Sequence, residues 1–130
     1  MVDLYTMDVT ERLKTKMYSS SCYLPVPQMS KAIAHSVAKC LCDRVDFPRL
    51  INTMHDKGAR VFIEMGPGRS LCSWVDKMLN DEKSHVAVPV NAKGTSDELT
   101  YFRAVAKLVS HGVKLDLNRL FNGSIIVHKT

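Results

Sequence analysis

The chain has 130 residues, 45% hydrophobic and 24% charged, which is the length and balance of one small globular domain with room for a core. No apolar run is long enough to span a bilayer and no signal-like apolar stretch follows Met1, so a soluble, cytoplasmic protein is expected. The net charge of +5 suits an acidic partner, yet beyond Arg12, Lys14 and Lys16 it is dispersed, and no aromatic-interleaved basic stripe, zinc-finger or RNP pattern points to nucleic acid.

Residues 1 to 16 carry scattered apolar positions and read as a weak helix or an ill-ordered lead-in. Met17-Tyr18-Ser19-Ser20-Ser21 then reads as a short strand, and Leu24-Pro25-Val26-Pro27 must be extended or turning. A helix over about Met29 to Cys42, starting near Ser30, places Ile33, Val37, Cys40 and Leu41 on one stripe. A second helix follows with Phe47, Leu50, Ile51 and Met54 in register, stopped by Gly58.

The stretch Ala59 to Leu79 describes a complete strand, turn and helix. Val61-Phe62-Ile63 is β-branched and aromatic, Gly66-Pro67-Gly68 breaks it, and an amphipathic helix follows with Leu71, Trp74, Val75, Met78 and Leu79 on one face. His85 to Val90 reads as another strand, with Pro89 at an edge or a strand end. Thr95-Ser96-Asp97-Glu98 has a capping-box pattern ahead of a helix bearing Leu99, Phe102, Ala106 and Val109, ended by Gly112. Val113 to Leu117 alternates as a strand does, and Leu120-Phe121, an Asn122-Gly123 turn and Ile125-Ile126-Val127 close the chain. Strands alternating with helices make the class α/β.

Four cysteines, Cys22, Cys40, Cys42 and Cys72, show neither CxxC spacing nor disulfide-scaffold density, so reduced thiols are expected. Cys40 and Cys42 point roughly 200° apart around a helix, which disfavours a shared metal, and no metal site is expected. Gly66-Pro67-Gly68-Arg69-Ser70 at a helix start has the donors and positive helix end of a phosphate or CoA site, although the plainer reading is a turn that needs glycine for its backbone.

Ser70, in Gly-Arg-Ser-Leu-Cys, half imitates a GxSxG nucleophile elbow, but Leu71 and Cys72 are too large for that crowded turn, and Ser70 is better read as a helix-start residue. Hydrolysis by Ser70 or a cysteine stays a distant alternative. His35, His55, His85, His111 and His128 have no telling spacing. Glu64, inside an apolar strand, is either catalytic or structural; accepting backbone hydrogen bonds is the favoured role.

Taken in order, these words resemble the acyl-CoA:acyl-carrier-protein acyltransferases of fatty-acid and polyketide synthases. Phe62-Ile63-Glu64-Met65-Gly66-Pro67 is similar to that family's Phe-Leu-Glu-x-Gly-Pro, and Met17-Tyr18-Ser19-Ser20 to its Tyr-Ser strand. Arg44-Val45-Asp46-Phe47 is similar to Pro-Val-x-Phe, with Arg44 in place of proline and without the usual Trp-Val before it. His111 to Leu117 with Leu120-Phe121 is similar to the Gly-Val-x-Val-Asp-x-x-x-Leu-Phe that often closes the domain in polyketide synthases. The likeness spans residues 17 to 121, leaving 1–16 as lead-in and 122–130 as a terminal turn and strand. Val45-Asp46-Phe47-Pro48 and Leu71-Cys72-Ser73-Trp74 bring it nearest to the B subunit of bacterial omega-3 polyunsaturated-fatty-acid synthases.

The resemblance implies an α/β-hydrolase-like fold and a parent enzyme that moves acyl groups from CoA to the phosphopantetheine of acyl carrier protein, by a GxSxG serine with a histidine base. Neither the elbow serine nor the histidine preceding the Tyr-Ser strand occurs here, so the chain is expected to be the C-terminal part of such a domain, inactive alone, with no catalytic residue and no bound cofactor. Its expected partners are the rest of the parent, acyl carrier protein and, when excised, a second copy. The resemblance further implies that the Cys40 backbone carbonyl sits where the family orients its imidazole, and that Phe62, Glu64, Gly66, Pro67 and Gly68 form a structural signature.

Overall fold

The computed structural model describes residues 2–9, 14–80 and 82–118. It is α/β: a 3-10 turn (Val2–Tyr5), then α1 (Ser30–Cys42), α2 (Phe47–Asp56), β1 (Val61–Glu64), α3 (Ser70–Leu79), β2 (Val86–Pro89) and α4 (Asp97–Ser110). Two compact units are present. One gathers the described residues of Met1–Arg60 and Val75–His85, the other those of Val61–Trp74 and Val86–Thr130. No helix among the described residues is long and apolar enough to cross a membrane.

In the first unit the Ser30 hydroxyl donates to the Met7 carbonyl, tying the lead-in to the start of α1. Asp46 caps α2 by accepting the Arg49 N–H at 3.0 Å, and Pro48 in the first turn forfeits only an N–H that has no helical partner. Ile51 and His55 form its buried side; the His55 Nε2 lies 3.3 Å from the Ser84 carbonyl, which satisfies a polar ring taken out of water.

The second unit holds β1, the first turns of α3, β2 and α4. β1 and β2 pair in parallel with Val61 opposite Val86 and Glu64 opposite Pro89, so the proline closes its strand, where its missing N–H is tolerated. The core is Val86 and Val88 of β2 against Ala104 and Leu108 of α4, with Val90 and Val113 packed beside it. Ser96 caps α4 by accepting the Leu99 N–H at 3.3 Å. The cap is therefore one residue later than Thr95, and Leu99 rather than Glu98 occupies the third helical position.

Several sequence expectations change. The Met17–Ser21 strand is absent: only an isolated antiparallel bridge joins Tyr18 to Pro25, and the Ser19 carbonyl accepts the Tyr23 N–H at 2.8 Å to close a tight turn. Serine hydroxyls there bond the local backbone, as in Ser21 N–H to Ser19 Oγ at 3.1 Å, and compete with a ladder. Residues 113–117 form no strand. Leu120, Phe121 and everything after them, with the expected turn and final strand, lie outside the described residues.

Two helices, α1 and α4, also bury a different stripe from the one their large residues suggest, while α3 buries Val75 and Leu79 of its expected face but not Leu71 or Trp74. α1 buries Ala34 and Ala38 and leaves Leu41 61% exposed; α3 buries Cys72, Val75 and Leu79 and leaves Trp74 exposed. α4 buries Thr100, Ala104 and Leu108, while Leu99, Phe102, Ala106 and Val109 face outward. Small side chains let a helix backbone approach its neighbour closely, and packing density rather than residue size decides the buried face. Leu108→Ala should therefore cost about 2–5 kcal/mol in urea unfolding of the whole chain. Phe102→Ala should stay within about 0.5 kcal/mol, the opposite of what the Phe102 stripe implies.

Candidate functional site

In the first unit, the turn of Ser19 to Ser21 lies against the last turn of α1. Ser20 Oγ is 3.3 Å and Ser19 Oγ 3.6 Å from the Cys40 Sγ, and Ser19 and Ser21 hydroxyls are 2.8 Å apart. The Ser19, Ser20 and Cys40 groups border a hollow of about 240 Å³ whose apolar walls include Met17, Val26, Ile33, Val37 and Leu41. The Ser20 hydrogen bond lowers the Cys40 thiol pKa below the usual value, against the opposing cost of burial, with Ser19 and Ser21 adding to the lowering.

The Cys40 carbonyl belongs to the last turn of α1, where the Asp43 N–H bonds Lys39 and the later carbonyls have no helical donor. Sequence reasoning reached Cys40 but missed the serine cradle. The Ser19-Ser20-Ser21 run was the available signal, because clustered hydroxyls favour turns over strands.

The five residues Phe62, Glu64, Gly66, Pro67 and Gly68 come together in the second unit. Glu64 Oε2 accepts the N–H of Cys72, the third residue of α3, at 2.8 Å, and its own carbonyl accepts the Val90 N–H at 3.0 Å. A carboxylate at this helix start meets both an orphan donor and the positive end of the dipole. Gly66 has φ +82°, and a Cβ there would stand 2.7 Å from the Asn91 carbonyl oxygen; the Gly68 N–H donates to that same oxygen at 2.9 Å.

The turn is thus seated on Asn91, a residue that no motif singles out. Because Glu64 already holds the start of α3, the turn is a poor anion cradle. Ser70 is the first residue of α3.

The histidines are spread out. Both ring nitrogens of His85 are engaged, Nδ1 with the Lys83 carbonyl at 2.7 Å and Nε2 with Asp76 at 3.1 Å. His111 Nδ1 and Ser110 Oγ both approach the Lys107 carbonyl, a helix-end arrangement. His35 is exposed and His128 lies outside the described residues. No group of three or more His, Cys, Asp or Glu among the described residues gathers as a metal site.

No family model matches the chain, and no solved structure matches it. The A subunit of the polyunsaturated fatty acid synthase of Thraustochytrium sp. (strain ATCC 26185 / S-3) is 30% identical over 105 residues, which are 80% of this chain and 4% of that protein. The chain is similar to a region of a polyunsaturated fatty acid synthase and spans a small fraction of its relative's length. The resemblance in the sequence pointed instead to the B subunit of such a synthase.

Gly66→Ala should lower stability by more than Gly112→Ala in denaturant unfolding. Both glycines have positive φ, but no atom approaches a Cβ at Gly112, so its cost is the backbone penalty of about 1–2 kcal/mol alone. At Cys40, the pH midpoint of iodoacetamide alkylation should lie below that of an ordinary thiol, and Ser20→Ala should raise it. Because the folded pKa is lowered, the Ser20 contribution to stability is present above the unfolded thiol pKa and fades as pH falls through the folded value. At neutral pH Ser20→Ala should change stability little through this route.

Proposed function

We propose that the chain is a noncatalytic portion of an acyltransferase domain whose parent transfers acyl groups from CoA to acyl carrier protein in polyunsaturated-fatty-acid synthesis. The observation that carries the reading is the similarity to part of a polyunsaturated fatty acid synthase, which extends over 80% of the chain. The placement of Cys40 supports it. Its carbonyl lies in the last turn of α1, where the final carbonyls have no helical donor, and is an acceptor suited to holding an imidazole of the parent; such a role does not depend on the side chain.

Acyl transfer through an alcohol needs an activated hydroxyl, a base and donors for the developing oxyanion. Ser70 opens a helix and is followed by Leu71 and a buried Cys72, so it lacks the strained exposed turn of an elbow. The Gly66 turn instead locks strand to helix. Outward-facing Phe102, Leu99, Val109, Ile63 and Trp74 are the surfaces such a portion would bury against the rest of its parent, and self-association of the isolated chain follows from the same apolar faces.

The competing reading, a self-contained phosphate or CoA module built on the Gly66 turn, meets the Glu64 carboxylate at the donors it would need.

The test is intact mass of the chain after incubation with malonyl-CoA and other acyl-CoA thioesters, alone and together with an acyltransferase segment bearing the elbow serine and histidine. Alone, no adduct is expected. Together, acyl loading on the added serine should appear, and Cys40→Ala should leave its rate within about threefold, since the carbonyl remains. A stoichiometric adduct at Ser70 or a cysteine of the chain alone overturns the proposal.

A further inference from the structure

Within the second unit, a separate hollow of about 240 Å³ opens past the carboxyl end of β2, between that strand end and α4. Parallel α/β sheets place ligands beyond the carboxyl ends of their strands. Four cations from three chain segments line it: Arg69 ahead of α3, Lys93 after β2, and Arg103 and Lys107 one turn apart on α4. No carboxylate among the described residues lines it.

Lys107 is held in place by a hydrogen bond from Nζ to the Ala87 carbonyl at 3.0 Å, which leaves two of its N–H groups to the hollow. Arg69, Lys93 and Arg103 make no ion pair among the described residues. Arg103 and Lys107, four apart on one helix face, repel each other, and the acidic residues of α4, Asp97 and Glu98, sit in its first turn. The wall of Val88, Pro89 and Ala104 is apolar, which strengthens any charge interaction at its mouth.

We infer that this hollow binds a diphosphate group. Cations converging from three segments match an anion whose charge is spread over two adjacent phosphates better than a single compact ion. The two guanidinium groups offer paired donors to phosphate oxygens, the ammonium groups add point charges, and the half-buried Thr95 stands at the rim. The site is distinct from the Gly66 turn, where Glu64 opposes an anion, and it goes beyond the acyltransferase reading, whose test is acyl loading rather than anion binding.

Calorimetry on the whole chain at low salt, with inorganic pyrophosphate, orthophosphate and ADP, tests the assignment. Pyrophosphate should saturate at one equivalent, about tenfold or more tighter than orthophosphate, and weaken as sodium chloride is added. Arg103→Gln and Lys93→Gln should each lower its affinity about tenfold, while Lys31→Gln and Lys77→Gln, which remove the same charge elsewhere, stay within about twofold. Both altered hollow residues are exposed, so the variants should keep the parent's unfolding midpoint, which a thermal melt checks.

ADP binding tighter than pyrophosphate identifies a nucleotide as the source of the diphosphate; equal or weaker binding identifies a diphosphate without a nucleoside. Absence of saturable binding at millimolar pyrophosphate, or equal losses in the control variants, overturns the inference.

Discussion

The second unit depends on how the start of α3 is satisfied. A helix entering directly from a strand presents N–H donors and a positive dipole end within a few residues of the sheet, where water is partly excluded. Glu64, the last residue of β1, supplies the acceptor from the strand itself. A charge-assisted hydrogen bond of this kind contributes about 1.5–3 kcal/mol, enough to decide the entry angle of a ten-residue helix. The same residue's carbonyl receives the Val90 N–H, and Gly66 and Gly68 fold onto Asn91 just beyond. Strand end, turn and neighbouring strand are therefore fastened within one small region.

That fastening explains why the glycines are needed and why the turn is structural. A Cβ at Gly66 would collide with the Asn91 carbonyl, and the Gly68 donor is already engaged with it. Backbone donors that point inward to a neighbouring carbonyl cannot also cradle a phosphate. The positive charge of the unit is displaced sideways, to the hollow bordered by Arg103 and Lys107, where no described carboxylate competes. Charge separation of this sort keeps an acidic cap and a basic surface from cancelling each other at short range.

Much of the element order was legible. The β-branched run at Val61 to Ile63, the break at Gly66 and the apolar period of α3 announced strand, turn and helix, and the start of α1 near Ser30 was legible too. What the sequence could not carry was the choice of buried face. In α1 and α4, periodicity finds the stripe of largest residues, yet Ala34, Ala38 and Ala104 are what the fold buries, because close approach of backbones outweighs the area of an individual Phe or Leu. Tyr18 to Ser21 departs from the expected strand for a related reason, since β propensity says nothing about hydroxyls bonding their own turn. Asn91 was invisible because its role is a carbonyl, which every residue has.

The same logic governs what a similarity over a small fraction of a synthase transfers to this chain. Side-chain chemistry travels with residue identity, and here Ser70 opens a helix while His55, His85 and His111 each bond separate carbonyls. Main-chain chemistry travels with geometry instead: the last turn of α1 and the turn seated on Asn91 rest on backbone groups that every residue supplies. A helix end needs only its backbone to present acceptors, and a glycine turn needs only its dihedral angles to hold a strand to a helix. The exposed Leu99, Phe102 and Val109 stripe is the other side of that dependence on backbone geometry: α4 is seated through Thr100, Ala104 and Leu108, and its larger residues are left outward.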